Sequence, residues 1–358
     1  MLRISASKLA ATTAVGAMLM GVAACGGGSD SGTSAQTSTG ASAGASSAAP
    51  SAAKVGLAFD VGGRGDQSFN DAAAAGLEKA KSELKLAETK ELAATAGETD
   101  AQKEQRLRLL AQSGYNPVIG VGFAYSAALK KVAAEFPDTK FAIVDDEAQG
   151  PNITNLVFAE NEGSFLVGAA AALKTKKEHI GFVGGVQVPL IKKFEAGFTR
   201  GAQAVKPDIK IDVKYLTQPP DFGGFNDPAK GKAAAQGMYD AGADIVYQAA
   251  GGSGGGVFEA AKAAKALAIG VDSDQALTAD QSVRDVIMTS MLKKVDVAVF
   301  DFLKSYTEGT VKSGPVRYDL KAGGVDFSTT GGKVDDIKNK LDEYKQKIIN
   351  GEIKVPTE

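Results

Sequence analysis

Asp60, Asp66 and Asp71 crowd the start of the folding part of the chain, with Phe69 and Asn70 between the last two. Clustered carboxylates can hold a calcium ion or serve cleavage of a nucleoside, but the spacing completes neither motif. An aromatic ring beside an amide at a helix start points elsewhere, to a ring face and a polar edge offered to a ligand. The stretch "GGFNDPAK" repeats that grammar, placing Phe225 before an Asn, an Asp and a helix. A flat ring held between two phenyl faces gains roughly 0.5–1.5 kcal/mol beyond the area it buries. Further carboxylates end apolar runs: Asp60 closes "GLAFD", Asp145 and Asp146 close "FAIVDD", and Asp272 and Asp274 fall in "IGVDSD". Ionised carboxylates accept hydrogen bonds from paired sugar hydroxyls, so two rings with several carboxylates suit a nucleoside better than a bare sugar. Each residue also has a plainer reading: Asp60 as a turn-stabilising side chain, Phe69 as a staple against the preceding strand.

Other chemistry has little material. His179 is the only histidine and precedes the strand-like "IGFVGG" with no serine or cysteine motif nearby, which favours a structural role. Cys/His metal spacing is absent and no cofactor is implied. The glycine run from Ala249 to Gly256 is neither G-x-G-x-x-G, since Val257 stands in place of the third glycine, nor a P-loop, since no Gly-Lys follows. It remains a loop whose backbone can lie close to a bound molecule, or a simple flexible turn.

These residues need elements to carry them. From Lys54 onward short β-rich runs ("KVGLAFD", "PVIGVG", "KFAIVDD", "NLVFAEN", "HIGFVGG", "IKIDVKYL", "DIVYQAA", "ALAIGVD") alternate with longer helical patterns. That alternation predicts an α/β fold with doubly wound parallel sheets covered on both faces. Ser68 with Asp71 three residues on reads as a capping box, which puts Phe69 and Asn70 in the first helical turn. In open parallel sheets ligands bind beyond the carboxyl ends of the strands, so Asp60, Phe69 and Asn70 face one space. Late in the chain a long helix is expected over "LKKVDVAVFDFLKSYTEG", then short extended pieces in "GPVRYDLKAGGVDFS". A terminal helix follows, with Val334, Ile337, Leu341, Tyr344 and Ile348 in one apolar stripe.

At 358 residues, with 44% apolar and 23% charged side chains, the chain has material for two domains. Net charge is −2 and no Lys/Arg block appears, which argues against a nucleic-acid partner. The N-terminus reads as an export signal over residues 1–24: "MLRISASK" is basic, and "LAATTAVGAMLMGVAA" is apolar but shorter than the ~20 residues that span a bilayer. "VAAC" resembles a bacterial lipobox, which implies lipidation of Cys25, the only cysteine, and an anchor on the extracytoplasmic face of the cell membrane. Residues 25–53, rich in Gly, Ser and Ala, read as a disordered tether spanning roughly 30 Å.

Taken in order, "VGLAFDVGGRGDQSFNDAAAAG", "KFAIVDD", "GGFNDPAKGKAAAQGMYDAGADIVYQAAGGSGGGVFEAAK", "AIGVDSDQ" and "TSMLKKVD" resemble the basic membrane protein (BMP, or PnrA-like) family of substrate-binding lipoproteins. The resemblance covers nearly all of 54–358. It implies a type I periplasmic-binding-protein fold, two lobes joined by three crossovers that close on a ligand and deliver it to an ABC permease. The lobes would be residues 54–160 with 291–318, and 161–290 with 319–358, the terminal helix joining the second. It further implies a purine nucleoside stacked between Phe69 and Phe225. Asp60 and Asn70 would hold the base edge, Asp145 or Asp146 would add a polar contact, Gly251 and Asp272 would approach the ribose, and Lys293 or its neighbour Lys294 would supply the cation. A nucleoside-cleaving enzyme and a sugar-binding protein of the same fold are the alternatives.

Overall fold

Strands that are apolar at every position have no face to offer water and must be covered on both sides. The runs "VIGV", "FAIV" and "HIGFVGGV" are buried at each residue. The computed structural model describes residues 52–95 and 97–358; the export signal, Cys25 and the tether up to residue 51 lie outside them. The chain runs β1 (Lys54–Val61), α1 (Phe69–Glu83), β2 (Glu88–Ala94), α2 (Asp100–Gln112), β3 (Val118–Val121), α3 (Ser126–Glu135), β4 (Phe141–Val144) and β5 (Ile153–Phe158). It continues through α4 (Glu160–Lys174), β6 (His179–Val186), α5 (Pro189–Val205), β7 (Lys210–Thr217), α6 (Pro228–Asp240), β8 (Ile245–Ala249) and α7 (Gly254–Ala264). Next come β9 (Leu267–Asp272), α8 (Gln275–Thr278), β10 (Ile287–Lys293), α9 (Val295–Thr307), β11 (Gly314–Tyr318), β12 (Val325–Phe327) and α10 (Lys338–Ile349).

Two six-stranded sheets result, ordered β11-β5-β4-β3-β1-β2 and β12-β10-β9-β8-β6-β7. Pairing is parallel throughout except for β12 on β10. The chain crosses between sheets three times, after β5, after β10 and after β11. Helix α10 packs on α4, with Val334, Leu341 and Ile348 buried.

Two local expectations need correction, and two elements carried no signal. The late helix begins at Val295, because Leu292 and Lys293 are still strand, paired with Asp326 and Val325 of β12. Residues 291–293, expected with the first lobe, consequently pair within the second sheet. Strand β2 and helix α2 had no apolar signal: β2 is a half-exposed edge and α2 buries only Lys103, Leu107, Leu110 and Ala111.

Helices α4 and α5 touch backbone to backbone. A Cβ on Gly197 or Gly201 of α5 would fall 2.2 or 1.9 Å from the carbonyl oxygens of Asn161 and Phe165 on α4. Any side chain there must push the helices apart, which costs roughly 1–3 kcal/mol in a packed core. The contact also fixes the first turn of α4, where Glu160 sits.

Candidate ligand cleft between the two sheets

Strand β1 ends at Val61, and the loop that follows is organised by its own acids. Asp66 accepts the backbone N–H groups of Ser68 (3.0 Å), Asn70 (2.8 Å) and Asp71 (3.1 Å), satisfying donors that a helix start leaves open. Asp71 accepts those of Gly65 (2.8 Å) and Gln67 (2.9 Å). Both carboxylates are thus spent on the loop, and among the described residues no group of three or more His, Cys, Asp or Glu is arranged to hold a metal ion. The Ser68–Asp71 capping box does not form: the Ser68 side chain makes no cap hydrogen bond. Its hydroxyl turns across the cleft and donates to Asp272 Oδ2 at 2.7 Å.

The eight residues singled out for a ligand, Asp60, Phe69, Asn70, Asp145, Phe225, Gly251, Asp272 and Lys293, all line one cavity between the sheets. Phe69 enters from α1 beside the first sheet, and Phe225 from the loop between β7 and α6 beside the second. Asn70 has both ends of its amide committed, Oδ1 to the Asp60 N–H (3.1 Å) and Nδ2 to Asp66 (3.1 Å). Its described bonds therefore tie α1 to the end of β1. Asp146 holds its neighbour's N–H, Asp274 accepts from Ser328 and Thr330, and neither lines the cavity; nor does Lys294. His179 sits at the far end of β6, paired with Asp212 at 2.6 Å.

Asp145 and Asp272 leave their strands with φ of +74° and +63°. Left-handed backbone is uncommon for residues with a Cβ and is concentrated at functional sites. Beside Asp145 lies Lys293, whose side chain is 1% exposed, with Nζ 2.5 Å from Asp145 Oδ2 and 3.6 Å from Glu160 Oε1. The ammonium also stands 5.0 Å from the ring centre of Phe69, 5.1 Å from that of Phe158 and 5.5 Å from that of Phe194. Burial alone would depress the Lys293 pKa; Asp145, Glu160 and Asp272 outweigh it and hold the group protonated. One oxygen of Asp145 is buried in the cavity wall with no hydrogen-bond partner, leaving an acceptor for a donor-rich ligand; Glu160 also has an unpartnered oxygen but does not line the cavity.

Glu160, Phe123 and Phe194 were not picked out from the sequence. Phe123 lines the cavity and meets Phe225 edge-on at 6.3 Å between ring centres. Phe123 and Glu160 each follow a strand end, so the crevice rule could have found them; Phe194, inside α5, carried no such signal.

Burial pushes Asp60 up to about 6, against the pull of the Val61 N–H, and Asp272 up to about 6, against Lys293 and Ser68. A ligand that donates hydrogen bonds to these carboxylates needs them ionised. Its affinity should therefore fall as pH drops below 6, by up to about tenfold per pH unit for each group that must shed a proton. Stability runs the other way for the same two groups. Their folded pKa lies above the unfolded value, so the empty protein gains stability from them as pH falls from 6 toward 4. Calorimetric titration and thermal melts of wild type and Asp272→Asn over pH 5–8 would show both slopes, and parallel slopes in the two proteins would refute the assignment to Asp272.

A family model described as ABC transporter substrate-binding protein PnrA-like (Bmp) matches residues 53–358. The CD4+ T-cell-stimulating antigen of Listeria monocytogenes is 38% identical over 320 residues, covering 84% of this chain and 87% of that protein. The ABC transporter nucleoside-binding protein BmpA of Lactococcus lactis subsp. cremoris is 36% identical over 319 residues, covering 85% and 89%. A solved ABC transporter solute-binding protein from Aeropyrum pernix superposes with a TM-score of 0.75 at 30% identity, covering 86% of this chain and 94% of that one. With two parallel sheets, three crossovers and a cleft at the strand ends, the chain has the type I periplasmic-binding-protein fold and belongs to the PnrA-like (Bmp) family of ABC transporter solute-binding proteins.

Proposed function

We propose that this protein captures a purine nucleoside between its lobes and hands it to a membrane permease, breaking no bond. The observation that carries the reading is the meeting, in one cavity, of two aromatic rings from opposite sheets with Asp60, Asp145, Asp272 and the buried ammonium of Lys293. Phe69 and Phe225 suit the faces of a heterocycle, Asp60 its N–H edge, and Asp145, Asp272 and Lys293 the hydroxyls of a ribose. The lactococcal relative, a nucleoside-binding protein by name, supports that ligand class. Closure follows only if the ligand binds the closed form more tightly than the open one, because equal affinity for both shifts nothing. Lipidation at Cys25 would hold the body on the outer face of the membrane, and among the described residues no helix is long and apolar enough to cross it.

A thermal-shift screen across guanosine, inosine, adenosine, free purine bases and ribose tests the reading. Stabilisation by nucleosides well beyond that by ribose or base alone is expected, and a response to ribose alone would replace it with sugar capture. Incubation with inosine, with and without calcium, should release no hypoxanthine; sustained turnover would convert the receptor into an enzyme.

A further inference from the structure

The contact between the lobes has a hydrogen-bond system of its own beside the ligand residues. The loop before α1 meets the turn between β9 and α8. The Gln67 carbonyl accepts from Gln275 Nε2 and Thr278 Oγ1, both at 3.1 Å. The Ser68 carbonyl accepts from Ser273 Oγ at 3.0 Å, while the Ser68 hydroxyl reaches Asp272. Gln67 holds φ at +54° to present its carbonyl, an unusual backbone for a residue with a long side chain.

Gln275 is 1% exposed, and its amide is oriented by chemistry. Its Oε1 accepts the Val271 N–H at 2.9 Å and Gln248 Nε2 at 2.8 Å. The Gln248 Oε1 in turn accepts the Ala250 N–H at 3.0 Å, one residue before Gly251. A backbone N–H can face only an oxygen, so both amides are pinned in one sense and the Gln275 NH₂ must point at the Gln67 carbonyl. The space for the pair is made by glycine: a Cβ on Gly254 would lie 2.4 Å from the Gln248 amide carbon, and one on Gly270 2.8 Å from Gln275 Oε1. Two side-chain amides thereby join the glycine loop, the strand end that carries Asp272, and the loop of the opposite lobe that carries Phe69.

We propose that Gln275 is a positioning residue for solute capture: it locks the closed lobes through the Gln67 carbonyl and, through Gln248, sets the Gly251 loop in the same step. The bond to Gln67 exists only when the lobes meet, and its loss on opening leaves a half-buried donor to be satisfied by water. Closure is therefore stabilised by protein groups that touch no ligand, and the effect falls on release more than on capture. The release readout rests on the nucleoside reading; the lobe-distance readout does not.

The test uses the full chain with site-specific labels on one exposed residue of α2 and one of α6, and two variants. Gln275→Glu keeps the shape and the acceptor for Val271 but turns a carboxylate oxygen toward the Gln67 carbonyl. Ser273→Ala/Thr278→Ala removes two donors at the rim and leaves the buried amides in place. Both should lengthen the mean interlobe distance without ligand and speed guanosine release at least tenfold, with the association rate within about twofold of wild type. If Gln275→Glu does not fold, Gln275→Asn, whose shorter amide cannot span to the Gln67 carbonyl, decides, and wild-type distances and release in that variant would overturn the lock. Unchanged distances and release rates would overturn the proposal, as would equal changes in association and release. If wild type binds no guanosine, the nucleoside reading fails and the distance measurement alone decides the lock.

Discussion

Lys293→Met should lower the melting temperature sharply and abolish ligand binding. The ammonium is the counter-charge for Asp145 at 2.5 Å and Glu160 at 3.6 Å, and both carboxylates are almost wholly buried. Removing one partner of a buried ion pair costs about 3–5 kcal/mol, because the other charge stays behind without compensation. In a folded body of this size that corresponds to roughly 5–8 °C in melting temperature. Lys193 lies 3.8 Å from Glu160, beyond hydrogen-bond reach, and its partly exposed ammonium is screened by solvent and cannot replace the buried one. The deficit should depend on pH with a definite sign. Burial already pushes Glu160 up to about 7, and without Lys293 it rises further. The folded variant then holds protons that the unfolded chain has shed, so its stability falls as pH rises from about 4.5 through 7 and beyond. Melts at pH 5.5 should show a smaller gap from wild type than melts at pH 8. Adding Asp145→Asn and Glu160→Gln to Lys293→Met should return most of the stability and none of the binding. Equal melting of Lys293→Met and wild type at pH 8 would show that the cluster is no ion-pair site.

Much of this arrangement is written locally in the chain. Runs such as "FAIV" and "AIGV" have no polar face, and the acids that follow them, Asp145 and Asp272, fall at the cleft because the ends of parallel strands share one edge. Features decided by distant parts of the chain are not legible in this way. Ser68 with Asp71 satisfies the rule for a capping box, yet the Ser68 hydroxyl is taken by Asp272, 204 residues away, and Asp66 does the capping. Glu160 reads as an ordinary acid in a helix's first turn; only the sheet order, which sets β10 against α4, brings Lys293 to it. The left-handed backbone of Asp145 and Asp272 has no signature either, since the strain is held by tertiary contacts. Strand β2 escaped for the opposite reason: as an edge it needs little apolar material, and its alternation is too weak to see.

Phe225→Ala should weaken purine nucleoside binding by about 5- to 150-fold, the range expected when a stacking ring worth roughly 1–3 kcal/mol is truncated. Phe69→Ala should fall in the same range, and the pair of variants distinguishes a slot from a one-sided platform. If the base lies between the rings, either truncation exposes a face to water and the double variant loses about the sum; coupling beyond the sum would show that each ring orders the other through the base. Phe225→Leu keeps apolar bulk but no π face, so it should recover part of the loss for every ligand and discriminate less between purine and pyrimidine nucleosides. Phe123 touches Phe225 edge-on at 6.3 Å and Phe222 at 5.8 Å, so Phe123→Ala should act indirectly, by loosening Phe225, with a smaller effect than either stacking variant. Phe69 differs from Phe225 in one respect, because the Lys293 ammonium stands 5.0 Å from its ring centre. Phe69→Ala should therefore also disturb the cation and weaken ribose contacts, whereas Phe225→Ala should spare them. Calorimetry with guanosine, adenosine, uridine and ribose on the four single variants and the double variant measures all of this, and unchanged guanosine affinity in both Phe69→Ala and Phe225→Ala would remove stacking from the account of this cleft.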